Sequence, residues 1–81
     1  MQLNETIKLM NSNDYQDRFK AEHAQVCIRI DGLEQMLYQW KMDKLNFEPK
    51  CSKELLIAQL STMQAYACLL EERARIEEIS L

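Results

Sequence analysis

The chain has almost none of the residues that make tight turns: it contains a single glycine and a single proline among 81 residues. Because β-sheet and α/β folds need such residues at many turns, this shortage favours an all-helical fold. The net charge of −3 argues against general DNA or RNA binding, which rests on many phosphate contacts. No apolar run approaches the roughly 18 residues that span a bilayer, and Met1–Met10 is too polar for a secretory signal. We therefore expect a soluble, cytoplasmic protein that does not enter membranes.

Residues with catalytic or metal-binding chemistry are scarce as well. His23 is the sole histidine, and no glycine-rich phosphate loop, GxSxG or HExxH motif is present. Cys27 follows His23 at i+4, which supplies half of a metal site, but no further ligands stand at metal-binding spacing. The three cysteines, Cys27, Cys51 and Cys68, show no paired spacing, so we expect buried, reduced thiols. These observations predict no enzyme activity, no catalytic residue, no cofactor and no metal.

Apolar residues recur at the spacing of a packed helix in two separate stretches. The first stripe consists of Phe19, Val26, Ile30, Leu33, Leu37 and Trp40. The second stripe follows Pro49 and consists of Leu56, Leu60, Met63, Ala67, Leu70 and Ala74. Pro49 forbids one continuous helix, so the pattern predicts an all-α helical hairpin of two long antiparallel helices plus a short N-terminal helix. We expect one domain, residues 1–81, with helices at about 2–11, 14–43 and 53–78, the second capped by Asn13 and the third by Ser52.

A seam between two helices leaves other apolar side chains without a partner. The short first helix carries Leu3, Ile7 and Met10 on one face and can cover only part of them. An exposed apolar patch is unusual for a monomer, so we predict a homo-oligomer, most simply with twofold symmetry. The expected interface residues are Ile28, Met36, Ile57, Tyr66, Leu69 and Ile76.

Positive charge is concentrated near the predicted hairpin tip. Between residues 41 and 53 four lysines stand against Asp43 and Glu48, whereas the other residues carry six basic and eleven acidic groups. Ammonium groups beside aromatic rings and a helix N-terminus can hold a phosphate or a small nucleotide. The expected ligand-binding residues are Trp40, Lys41, Lys44, Phe47, Lys50, Ser52 and Lys53. The alternative is a solvated loop whose lysines aid solubility and whose aromatic rings close the hairpin end.

Four stretches of the chain carry a resemblance to known proteins: YQDRFKAE, IRIDGLEQML, LNFEPKCSKELLIAQLSTMQAY and LLEERARIE. They resemble a family of small helical proteins of bacteriophages and prophages, including relatives in crAss-like phages. The layout of short helix, long helix, proline loop and long helix is also similar to that of phage anti-CBASS sponge proteins, which oligomerise and sequester cyclic oligonucleotide immune signals.

The resemblance implies a phage-encoded anti-defence protein that sequesters a cyclic nucleotide in the host bacterial cytoplasm and so serves immune evasion. Two alternatives stay open. The protein could instead be an inhibitor or adaptor that acts on a host defence protein, or a structural component of the phage.

Overall fold

The computed structural model of the protein describes residues 1–81 and contains helices but no strand. A 3₁₀ turn at Leu3–Thr6 leads into a one-turn helix, α1 (Ile7–Met10), and two long helices follow, α2 (Tyr15–Lys41) and α3 (Lys53–Glu77). The prediction of an all-helical fold is confirmed. None of these helices contains a segment that is apolar enough to cross a membrane.

Asp14, rather than Asn13, caps the start of α2. The Asp14 carboxylate accepts a hydrogen bond from the backbone N–H of Gln16 at 3.0 Å. The Ser12 hydroxyl supports this cap, since it accepts from the Asp14 backbone N–H at 3.0 Å and donates to the Asp17 carboxylate at 2.8 Å. The prediction of an Asn13 cap is wrong because the carboxylate one position later reaches the free N–H groups of the first turn.

A side-chain cap begins α3, and a residue in the left-handed conformation ends it. The Ser52 hydroxyl accepts a hydrogen bond from the Leu55 backbone N–H at 3.1 Å, as predicted. At the other end, Glu78 adopts φ 59° and ψ 42°, a conformation that commonly terminates helices. The resulting turn lets the Ile79 backbone N–H bond to the Ala74 carbonyl at 2.9 Å. It also brings the Ile79 side chain into the core, where it is 6% exposed.

The two long helices pack antiparallel. Tyr15, at the start of α2, donates a hydrogen bond of 2.8 Å to Glu77, at the end of α3. Conversely, Lys53 at the start of α3 lies over the ring of Trp40, near the end of α2. The loop of residues 42–52 therefore forms one end of the hairpin, the tip, and the opposite end is the base.

The core lies toward the base. Phe19, Leu70, Ala74 and Ile79 form a buried cluster, and Val26 packs against it. Toward the tip, the same two stripes are only half-buried, at Leu33, Leu37, Trp40, Leu56, Leu60 and Met63. The seam between α2 and α3 is thus sealed at the base and accessible near the tip.

The N-terminal segment covers α2 and leaves α3 uncovered. Both α1 and the 3₁₀ turn contact α2, and neither contacts α3. Thr6 is fully buried in this contact and accepts a hydrogen bond from the Gln25 side chain at 3.0 Å. By helical spacing, three exposed apolar side chains share the side of α3 that faces away from the seam. This outer face of α3 consists of Leu55, Leu69 and Ile76. Tyr66 lies at its edge, where the Tyr66 hydroxyl donates a hydrogen bond to the Glu22 carboxylate on α2.

The remaining predicted interface residues lie elsewhere. Ile57 is also exposed, but its helical position is on the opposite flank of α3, and Ile28 and Met36 on α2 are half-buried. The predicted interface is therefore distributed over several faces of the hairpin.

Two of the three cysteines are exposed. All three are free thiols, with Cys27 half-buried and Cys51 and Cys68 in contact with solvent. The prediction of buried cysteines is wrong for the latter two. Cys51 belongs to the tip loop, and Cys68 follows the buried seam residue Ala67, so that its side chain points away from α2.

Candidate functional site

A groove lies between α2 and α3 near the tip of the hairpin. Its volume is about 1010 Å³, at the upper end of the roughly 300–1,000 Å³ of small-molecule pockets. The lining combines apolar, amide, aromatic and charged side chains, namely Glu34, Gln35, Leu37, Tyr38, Gln39, Lys41, Lys44, Lys53, Ile57 and Leu60. The groove exists because the seam is not sealed by buried side chains at this end.

Three of the four lysines predicted to bind a ligand line this groove. Lys41 is the last residue of α2, Lys44 belongs to the tip loop, and Lys53 is the first residue of α3. Glu34 is the only acidic side chain in the lining, so three positive charges stand against one negative charge. The groove is therefore locally positive on a protein whose net charge is −3. Lys50 does not line it.

Trp40 holds one of these lysines in place. The Lys53 ammonium nitrogen lies 4.9 Å from the centroid of the Trp40 ring, within the range of a cation–π interaction. This contact orients the ammonium group at the edge of the groove and covers one face of the indole ring. A nucleobase that stacked on that face would first have to displace Lys53.

The other predicted binding residues lie outside the groove. Phe47 is 56% exposed on the tip loop and does not close the hairpin end. Ser52 uses its hydroxyl oxygen to cap α3. The predicted site therefore divides into three lysines that come together, a tryptophan that supports one of them, and three residues that do not line the groove: Phe47, Lys50 and Ser52.

The groove contains an aromatic side chain that sequence reasoning missed. Tyr38 is 63% exposed and lines the groove together with Glu34 and Lys41. These residues stand at i−4 and i+3 from Tyr38, so they share one face of α2. The spacing of these three residues is visible in the sequence. A search for apolar stripes overlooks it because Glu34 and Lys41 are charged.

A second cluster of polar side chains joins the two long helices nearer the base. His23 Nε2 lies 2.9 Å from a carboxylate oxygen of Glu71 and 3.5 Å from the sulfur of Cys27. Burial, together with the negative charges of Glu71 and Asp31, raises the pKa of the Cys27 thiol above its ordinary value, so the thiol is protonated at neutral pH. The sequence pairs His23 with Cys27, but Glu71 lies 48 positions beyond His23 and only the packing of α3 on α2 brings it there.

The fold and the groove define a small helical-hairpin protein with a locally basic cleft at its tip. Comparison with protein families shows that the chain belongs to the Sequestin family, whose model matches residues 13–76. That span contains every residue that lines the groove. The family name indicates a sequestering protein, which fits the resemblance to sequestering phage proteins. No curated protein and no solved structure matches the chain.

Proposed function

We propose that this protein is a phage-encoded anti-defence protein that oligomerises and sequesters a cyclic nucleotide immune signal in the host bacterial cytoplasm. It acts by stoichiometric binding rather than by catalysis. The observation that carries the proposal is the basic groove at the hairpin tip, which lies within the part of the chain that matches the Sequestin family.

The charge and composition of the groove suit a small phosphate-bearing ligand. Lys41, Lys44 and Lys53 offer three ammonium groups to phosphates, while Tyr38 offers an exposed ring on which a base can stack. Leu37 and the other apolar lining residues favour the flat surfaces of bases over free inorganic anions. Three lysines against an overall negative protein support binding of a compact nucleotide rather than a long nucleic acid, whose affinity requires many phosphate contacts.

The exposed apolar surface of α3 supports the proposed self-association. Leu69 and Ile76 are 65% and 66% exposed, and no other element of the chain covers them. Only eight of the 81 residues are buried, so a single hairpin hides little apolar surface from water. A second copy would bury the outer face of α3, and a copy that contacts Ile57 would also cover the groove.

Isothermal titration against a panel of cyclic di- and trinucleotides tests the proposed ligand class. We expect one member to bind and Lys44→Ala to weaken its binding about tenfold or more, since a hydrogen bond to a charged group contributes about 1.5–3 kcal/mol. Lys50→Ala is the matched control, because Lys50 carries the same charge on the same loop outside the groove. Absence of heat with every member, or equal weakening by both substitutions, would contradict the proposal.

The outer face of α3 also favours a second candidate function, the binding of a host defence protein in helix-in-groove fashion. Light scattering separates the two candidates. A monomer that binds no cyclic nucleotide but retains a specific host protein, and loses it on Leu69→Glu, supports the second. Large open-ended assemblies without either ligand would indicate a structural component of the phage.

A further inference from the structure

Three different metal-ligand atoms converge on one side of the α2–α3 seam. They are the imidazole of His23, the thiol of Cys27 and the carboxylate of Glu71, and all of them lie within 4.8 Å of one another. His23 and Cys27 are one helical turn apart on α2, so they share a face, and Glu71 reaches them from α3. Inspection of the sequence finds two of these ligands, and the fold adds the third.

Two of the three distances between these atoms can be compared with those around a tetrahedral ion. Zinc bonds of about 2.0–2.1 Å to nitrogen and about 2.3 Å to sulfur hold these two atoms about 3.5 Å apart. His23 Nε2 and the Cys27 sulfur lie at that distance, 3.5 Å. The corresponding nitrogen–oxygen separation is about 3.3 Å, whereas His23 Nε2 and Glu71 are 2.9 Å apart. The Glu71 side chain is 54% exposed and can rotate, which adjusts the distances from its oxygen to the nitrogen and to the sulfur, the latter lying within 4.8 Å.

We propose that His23, Cys27 and Glu71 form a binding site for a divalent cation of the zinc class, with its fourth coordination position open to water. A set of one thiolate, one imidazole and one carboxylate favours zinc over magnesium or calcium, which prefer oxygen ligands alone. The site is separate from the tip groove and shares no lining residue with it.

Cation binding requires the loss of one proton from the thiol. The S–H bond of Cys27 breaks, its proton passes to solvent, and the sulfur donates an electron pair to the cation. Nε2 of His23 carries the ring proton in its hydrogen bond to the Glu71 carboxylate, so on binding Nε2 releases this proton to solvent, Nδ1 takes one up, and the freed electron pair of Nε2 binds the cation. The imidazole of His23 and the carboxylates of Asp31 and Glu71 face the thiol. Since the thiol proton must leave before the sulfur can bind, the cation binds with release of a proton.

A bound cation would join α2 to α3 beside the buried core at the base of the hairpin. The present link at this position is the contact between His23 and the exposed Glu71. Since the cation binds the folded hairpin and not the separated helices, it raises the temperature of unfolding.

Titration of the reduced protein with Co²⁺, used as a spectroscopic substitute for zinc, tests the site. We expect one Co²⁺ per chain, a thiolate-to-cobalt charge-transfer band, displacement by Zn²⁺ and a higher unfolding temperature with Zn²⁺. Cys27→Ser should abolish the charge-transfer band. Glu71→Gln should weaken binding by more than about tenfold, because loss of a group that only orients a ligand already costs about 10–100-fold. Circular dichroism verifies that each variant is folded. If Cys27→Ser does not fold, Glu71→Gln still tests the site, because it changes an exposed residue.

Two matched controls make the test specific. A Cys51→Ser, Cys68→Ser double variant retains the proposed ligands and removes both exposed thiols, so it should bind Co²⁺ like the original chain. Glu72→Gln neutralises the neighbouring exposed carboxylate, which pairs with Arg75 instead, and should also leave binding unchanged. Absence of a charge-transfer band, a band that persists in Cys27→Ser, or equal effects of Glu71→Gln and Glu72→Gln would each overturn the proposal.

Discussion

Replacing Leu70 with alanine tests whether the stability of the hairpin resides in the core at its base. Leu70 is 1% exposed and belongs to the cluster with Phe19, Ala74 and Ile79. Truncation loses the burial of most of a leucine side chain and leaves a cavity that the short Ala74 side chain cannot fill, so we expect a loss of about 3–5 kcal/mol. A chain of this length has a total stability of about 4–12 kcal/mol, at about 0.05–0.15 kcal/mol per residue. The substitution therefore removes a large part of it.

Leu69→Ala is the matched control because it makes the same chemical change one position away. Leu69 is 65% exposed on the outer face of α3, so within one chain its truncation should cost less than about 1 kcal/mol. Urea unfolding followed by circular dichroism, repeated at several protein concentrations, measures both losses. If the loss of unfolding free energy caused by Leu69→Ala grows only at higher protein concentration, the additional loss comes from an interface between copies. If Leu69→Ala costs as much as Leu70→Ala at every concentration, the assignment of buried and exposed faces of α3 is incorrect.

Two further predictions concern the end of α3 and the reactivity of the thiols. Glu78→Gly should raise the free energy of unfolding by about 1 kcal/mol, because glycine adopts the left-handed conformation of Glu78 without steric cost. Glu78→Ala also removes the charge but keeps the Cβ atom, so thermal unfolding should show a clearly smaller gain in stability. An equal gain in stability would mean that the loss of charge causes the effect. Since its raised pKa lowers the thiolate fraction of Cys27, alkylation at mildly alkaline pH should be slower at Cys27 than at Cys51 and Cys68, as peptide mass spectrometry can follow. Faster labelling of Cys27 would contradict its half-buried position beside two carboxylates.

Local chemistry accounts for the elements that sequence reasoning predicted. Ser52 caps α3 because a hydroxyl beside the first turn can accept from a free backbone N–H, and Pro49 separates the long helices because it cannot continue one. The prediction that Asn13 caps α2 was wrong for an equally local reason. Asp14 and Asn13 are both good capping residues, and spacing alone did not decide between them. The cysteine prediction failed because average burial of a residue type does not show on which side of a helix a given residue lies.

The candidate sites depended on contacts that local patterns do not encode. The groove needs the end of α2, the tip loop and the start of α3 to meet, and its Tyr38 stands outside both apolar stripes. Sequence proximity identified Lys41, Lys44 and Lys53 because the tip loop joins the two helices there. It also included Phe47, Lys50 and Ser52, which share the loop region but not the groove.

The sequence by itself determined that the chain forms two long helices with matching apolar stripes and a lysine-rich connection, because periodicity, capping and proline act over a few neighbouring residues. Only the tertiary structure decided that the seam is sealed at the base and open at the tip, that Lys53 rests on Trp40, and that Glu71 meets His23 and Cys27. These features depend on the register in which α3 packs against α2. That register is set by many side-chain contacts at once, between residues that are far apart along the chain.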